Sequence, residues 1–164
     1  VTFFKYFAEK DDILLFYKSL LTISLNIKIQ EKGLSGKGGL EQIFNLFTNE
    51  YKERPSLLLG MVGKLVSGAS PYKPLRLTPA EKHVFFPDTD FEQLDLLSLE
   101  QLVDKLMLEA VLAAEVKSTG NVADLGNYFL SNIYGAILLS HFKGDSADRM
   151  LFQNTIRSFL RSIN

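Results

Sequence analysis

At 164 residues, 46% hydrophobic and 12% aromatic, the chain can bury one sizeable core and is too apolar to remain disordered. Its 18 lysines and arginines against 19 acidic residues leave no basic excess that would hold nucleic acid by charge alone. The absence of cysteine excludes disulfides, thiolate catalysis and Cys-ligated zinc, and suits a reducing, cytoplasmic setting, with no signal peptide visible.

The opening stretch, Thr2 to Leu14, sets Phe3, Phe4, Tyr6 and Phe7 beside Lys5 and Lys10. By itself this composition also fits a small aromatic core with solvated lysines. Asp11 and Asp12 complement the positive end of a helix, and Ile13, Leu14, Phe16, Tyr17, Leu20 and Leu21 recur at helical spacing, which predicts a long helix to about Glu31. Its second half, Ile23, Leu25, Ile27 and Ile29, alternates as a strand would, yet nothing nearby could pair with a lone strand. Gly33 is placed to cap this helix, and Gly36-Lys37-Gly38-Gly39 is expected to form a flexible joint. The glycines lack the spacing of a phosphate loop.

Leu40, Ile43, Phe44, Phe47 and Tyr51 share one face of a second helix, which ends near Arg54 because Pro55 disfavours helical geometry in the residue before it. Pro55 suits the first turn of a third helix with Leu57, Leu58, Met61, Val62 and Leu65 on its apolar face. Gly60, Gly63 and Gly68 leave that helix either thin and mobile or closely packed. Thr78-Pro79-Ala80-Glu81 is a capping box within an otherwise irregular stretch, and Phe85, Phe86, Phe91 and Leu94 are expected either to lid a cavity or to pack over the core.

A second capping box, Ser98 with Gln101, opens a helix carrying Leu99, Leu102, Val103, Leu106, Met107, Ala110, Val111 and Ala114, which Gly120 can end. Asn121 with Asp124 starts the next helix. Its segment Leu125 to Phe142 carries no charge, and it is expected to be covered by protein on most of its circumference rather than to cross a membrane. Asp145 or Ser146 caps a last helix with Met150, Leu151, Ile156, Phe159, Leu160 and Ile163 on one face.

Little here supports an enzyme or a cofactor. His83 and His141 lie far apart in sequence, without HExxH spacing, a nucleophile elbow or Glu-x-x-His pairs. No metal ligand set is expected, and His141 reads as a buried or interfacial hydrogen-bonding residue. Phe44, Phe47, Tyr51, Leu58, Met61, Leu65, Met107, Val111 and Tyr128 lie on four successive helices and could line one cavity, with Tyr51, Tyr128 and Asn132 as its polar points, or could be plain core.

The opening run resembles the segment that closes the DNA-binding domain of the tetracycline-repressor (TetR) family, Thr-(Leu/Phe)-(Tyr/Phe)-x-(His/Tyr)-Phe-x-x-Lys-(Glu/Asp)-(Asp/x)-Leu-Leu. Thr2, Phe4, Tyr6, Phe7, Lys10, Asp11 and Asp12 fill it, with Phe4 where tyrosine is commoner. The resemblance implies an all-α, TetR-like C-terminal bundle: residues 1–9 would be the remnant of a helix-turn-helix domain and 10–164 the ligand-binding and dimerisation domain. It implies operator DNA as a partner, met by Thr2, Phe4, Lys5, Tyr6 and Lys10 and by residues before Val1. It further implies a small, mostly apolar effector in the cavity named above. A homodimer would form through a four-helix bundle of the last two helices, with Ile133, Ile137, Ser140, His141, Leu151, Thr155 and Phe159 at the interface, since the side of the uncharged helix bearing the first three has no obvious partner in the chain. The competing expectations are a helical lipid or small-molecule carrier or interaction module without DNA binding, and an enzyme acting on an apolar substrate.

Overall fold

The computed structural model describes residues 10–67, 77–117 and 121–143, with Asn154, Ser158 and Phe159. Among them lie α1 (Lys10–Glu31), α2 (Gly36–Glu53), α3 (Pro55–Ser67), α4 (Pro79–Phe85), α5 (Leu99–Leu112) and α6 (Val122–Lys143), and no strand. The expected all-helical class is therefore met over the described residues. The caps expected for the last helix, Asp145 or Ser146, fall outside them.

The strand-like alternation in α1 has a tertiary cause. Leu21, Leu25 and Ile29 form one i, i+4 row inside the main core, while Ile23 and Ile27 form a second row in a separate cluster with Leu77. Residues two apart on a helix point about 200° apart. Two buried rows on nearly opposite faces of one helix therefore read as alternation along the sequence. The outer row is covered by Phe86, Phe91 and Leu94, with Phe16 edge-on to Phe85 at 5.6 Å and Phe86 edge-on to Phe91 at 6.0 Å. The stretch after α4 thus packs over α1 as an aromatic strap.

Gly33 ends α1 at φ +58°, donating its N–H to Gln30 O at 3.0 Å while Leu34 N donates to Ile29 O at 2.9 Å. That is a Schellman motif, and the partly buried Leu34 packs on the same core as Ile29. The glycine run that follows is not a flexible joint but the first turn of α2, and α5 (Leu99–Leu112) with the turn after it supplies its caps. Gly36 N donates to Glu109 Oε2 at 3.1 Å and Lys37 N to Glu115 Oε2 at 2.8 Å, so two carboxylates meet the N–H groups that a helix start leaves open. Ser35, at the N-cap position, makes no side-chain cap.

Both capping boxes form as the sequence indicates. Thr78 Oγ1 accepts from Glu81 N and Ser98 Oγ from Gln101 N, and each N-cap N–H donates back to the Glu81 or Gln101 side chain. Helix α5 ends at Leu112, well before Gly120, because Ala114 takes a left-handed φ of 57° and Glu115 N closes on Ala110 O at 2.9 Å. The early turn lets Val116 reach the core and Glu115 reach α2.

The core lies between α2 and α5, which pack most extensively, with α6 against α5 and α3, and α1 against α3 and α2. A Cβ at Gly39 would strike Leu106, one at Gly126 would strike Asp104, and one at Gly60 would press on Leu14. These three glycines set helix separations. Gly63, in contrast, faces open space, so α3 is closely packed at one of its inner glycines and thin at the other.

Candidate functional site

Between α1, the end of α2, the start of α3 and the aromatic strap lies a cleft of about 330 Å³. Tyr17, Leu20, Leu21 and Ser24 of α1 form one wall, at i, i+3, i+4 and i+7; Leu57, Phe85 and Phe86 form the other, and Glu50 and Arg54 close one end. Tyr17 Oη donates to Glu50 Oε2 at 2.6 Å, and Arg54 Nη1 donates to both Glu50 oxygens at 2.9 and 3.1 Å. Burial, followed by the Glu50 carboxylate, pushes the Tyr17 phenol above the ordinary tyrosine range, so it remains a donor. The cleft is an apolar trough with a paired polar end.

A different face of α1 is latched to the segment that leads into α5. Asn26, 1% exposed, donates through Nδ2 to Leu97 O at 2.9 Å and accepts from Leu97 N at 3.1 Å. Gln30 Nε2 donates to Asp95 O at 3.0 Å, and Lys18 Nζ meets Glu100 Oε1 at 2.9 Å. A second cavity of about 100 Å³, lined by Asn26, Gln30, Asp95, Lys105 and Glu109 among others, sits beside this latch and has room for a few waters.

The residues expected to line an effector cavity do not line either of these two. Phe44, Phe47, Leu58, Met61 and Met107 are buried in the main core and line neither cavity. Tyr51, Leu65 and Val111 are half-buried, and Tyr128 stands 63% exposed with its carbonyl accepting from Asn132 Nδ2 at 2.7 Å. The physical reason is the close approach at the α2–α5 crossing, where Gly39 has no side chain and Leu106 fills the space against it. Helical spacing identified buried faces correctly, but it does not distinguish a filled core from a lined hollow. One signal for the true cleft was present: Tyr17, Leu20, Leu21 and Ser24 mix polar and apolar groups on a single stripe, and Glu50 and Arg54 are spaced to pair.

The interface residues also fall differently. Ile133 and Ile137 lie in the chain's own core and Ser140 is fully buried, so that side of α6 has its partner within the chain, contrary to expectation. Phe159 packs there as well, its ring 5.8 Å from Phe129. His141 is exposed rather than buried, 6.0 Å from the Phe142 ring. Another stripe of α6 is the more open one: Tyr128, Leu139 and Phe142 are exposed, Phe142 to 78%, with Asn132 and Gly135 half-buried between them. Among the described residues, protein covers chiefly one side of this helix, and no helix among them is long and apolar enough to cross a membrane.

Thr2, Phe4, Lys5 and Tyr6, and likewise Leu151 and Thr155, lie outside the described residues; Lys10 is the first residue of α1. His83 is exposed on α4, far in sequence from His141, and is not among the residues lining the cleft although Phe85 of the same helix is. A scan against protein-family models and searches of curated proteins and of solved structures return no match for this chain.

Proposed function

We propose that residues 10–164 are the effector-binding and dimerisation domain of a TetR-type transcriptional regulator, in function a repressor, with residues 1–9 the end of its DNA-reading helix-turn-helix. The opening motif suggests the family, and one observation supports the mechanism. Helix α1 starts at Lys10, inside that motif, and runs unbroken to Glu31, with its Tyr17–Ser24 stripe forming a wall of the cleft. A ligand that fits one placement of α1 better than another shifts the balance between them, and the tilt reaches the DNA-reading end. Operator release follows when the favoured placement separates the two readers wrongly for their half-sites.

The test is fluorescence anisotropy of the full-length form on DNA flanking its own coding sequence, over a salt series. Lys10→Ala is expected to weaken binding and to lower the log-affinity against log-salt slope by about 1 per subunit, the signature of one lost phosphate contact. A full-length protein without salt-dependent DNA binding would leave a helical lipid or small-molecule carrier, which can use the same cleft.

The more open α6 stripe is the proposed dimer seam, with the last helix and the symmetry mates completing a four-helix bundle. Tyr128, Asn132, Gly135, Leu139 and Phe142 are spaced four, three, four and three apart, as a coiled-coil seam is, and carry no charge. A two-fold axis brings the same stripe of a second copy against it. A Cβ at Gly135 meets nothing within the chain, so Gly135→Arg is expected to keep the thermal midpoint of the monomer while sedimentation shifts from dimer to monomer. An unchanged sedimentation coefficient would remove this seam.

A further inference from the structure

We infer that the cleft along α1 takes an uncharged, largely apolar ligand bearing one hydrogen-bond acceptor, anchored by Arg54. The inference rests on the regulator reading for the ligand's role as effector, but its chemistry comes from the cleft alone. Glu50 and Arg54 are the charged side chains in the lining, and they neutralise each other at 2.9 and 3.1 Å. An anion placed there would face the Glu50 carboxylate, with Glu53 Oε2 3.7 Å from the same guanidinium nitrogen. A cation would face Arg54. Either charge leaves water for a site that cannot repay the loss, so a neutral molecule is favoured.

The polar anchor follows from the donor inventory. A guanidinium has five N–H donors, and the bonds to Glu50 run through Nη1 alone. The remaining donors of this half-exposed side chain suit a carbonyl or ether oxygen. Tyr17 Oη is committed to Glu50 and holds that carboxylate in place. Beyond this end the trough is aliphatic and aromatic, through Leu20, Leu57 and Phe86, as far as Ser24. Tyr17 to Ser24 spans about 10 Å at the helical rise, and about 330 Å³ is at the small end for drug-sized sites. A compact, flat molecule of up to about four fused rings fits.

The probe is Nile red, which is neutral and carries a carbonyl acceptor, compared by fluorescence titration with anionic anilinonaphthalene sulfonate and cationic rhodamine 6G. Nile red is expected to saturate at one per chain and to bind at least about tenfold more tightly than either charged dye. Leu57→Arg, at a partly exposed cleft position, should weaken Nile red about tenfold or more with the thermal midpoint kept. Arg54→Ala should reverse the order, because Glu50 is then uncompensated and favours rhodamine. Tighter binding of either charged dye by the unaltered protein, no Nile red binding, or indifference to Leu57→Arg would overturn the inference. Operator binding is read separately: Nile red held in the cleft by a protein that ignores DNA supports the ligand class and removes the regulator.

Discussion

Replacing Asn26 by leucine is expected to destabilise the fold by about 3 kcal/mol, because a bulkier apolar side chain of the same branching leaves two backbone groups of Leu97 without this partner. The amide makes a two-way bridge, donating to Leu97 O at 2.9 Å and accepting from Leu97 N at 3.1 Å, and also donates to Thr22 O at 2.8 Å. Each inaccessible backbone group left unpaired costs about 1–3 kcal/mol, whereas the added apolar surface returns less, since the position already lies against the main core. Urea unfolding followed by circular dichroism measures the change as a lower midpoint at constant slope. A midpoint within about 0.5 kcal/mol of the unaltered protein would show that water replaces the bridge. The consequence for function is mechanical. Asn26 fixes where α1 crosses the entry to α5, so a protein lacking the bridge should hold α1 less firmly.

Removing the Glu100 carboxylate, as Glu100→Ala, is expected to cost about 2 kcal/mol near neutral pH, less than for a fully enclosed pair because its side chain is 39% exposed. Burial holds the Lys18 ammonium below the usual lysine range, although Glu100 opposes this through its hydrogen bond and charge. For Glu100, burial works against ionisation, but Lys18 and the backbone and Ser98 at the helix start outweigh it and hold the carboxyl below its ordinary 4.5. The two signs give two pH effects. In the unaltered protein Glu100 contributes stability above its unfolded pKa of 4.5, and this is lost as pH falls through the lower folded value. In Glu100→Ala the cost is a buried ammonium that has lost this carboxylate. Its folded pKa lies below 10.5 and the unfolded chain binds the proton more tightly, so stability rises with pH across that window. Unfolding at about pH 7 and about pH 10 should therefore show the deficit shrinking at the higher pH. A deficit that stays constant would mean that Lys18 reaches water once its partner is gone.

Much of the helical layout was legible because its signals are local. Thr78 with Glu81 and Ser98 with Gln101 act over three residues, and Gly33 closes its helix through bonds to Gln30 and Ile29. Pro55 separates α2 from α3 by the geometry of a single peptide unit. The glycines at 36 to 39 were misleading for the opposite reason. The same residues form a loose joint when nothing caps them and a helix start when Glu109 and Glu115 arrive from α5 and the turn after it, 73 and 78 positions away.

The candidate site was less legible. Phe47 and Tyr17 are both aromatic residues on helices, yet one is core and the other lines a cleft, depending on what the facing helix brings. Likewise Ile133 and Leu139 are both apolar residues of α6, but among the described residues α5, α3 and Phe159 lie on the side of Ile133, and Leu139 is left 48% exposed. Periodicity gives the positions of side chains around an axis; it carries no information about the distance to the next axis.

By itself, then, the sequence determined the all-helical class, the break between α2 and α3 at Pro55, the two capping boxes and the turn at Gly33, since each depends on bonds closed within a few residues. Only the tertiary structure decided that α1 is buried on two faces, that a trough runs beside Tyr17 rather than beside Met107, and that α6 turns Tyr128, Leu139 and Phe142 outward. Those outcomes depend on how closely helices approach, and the approach is set by whether glycine or a larger side chain meets its counterpart at each crossing, as at Gly39 against Leu106.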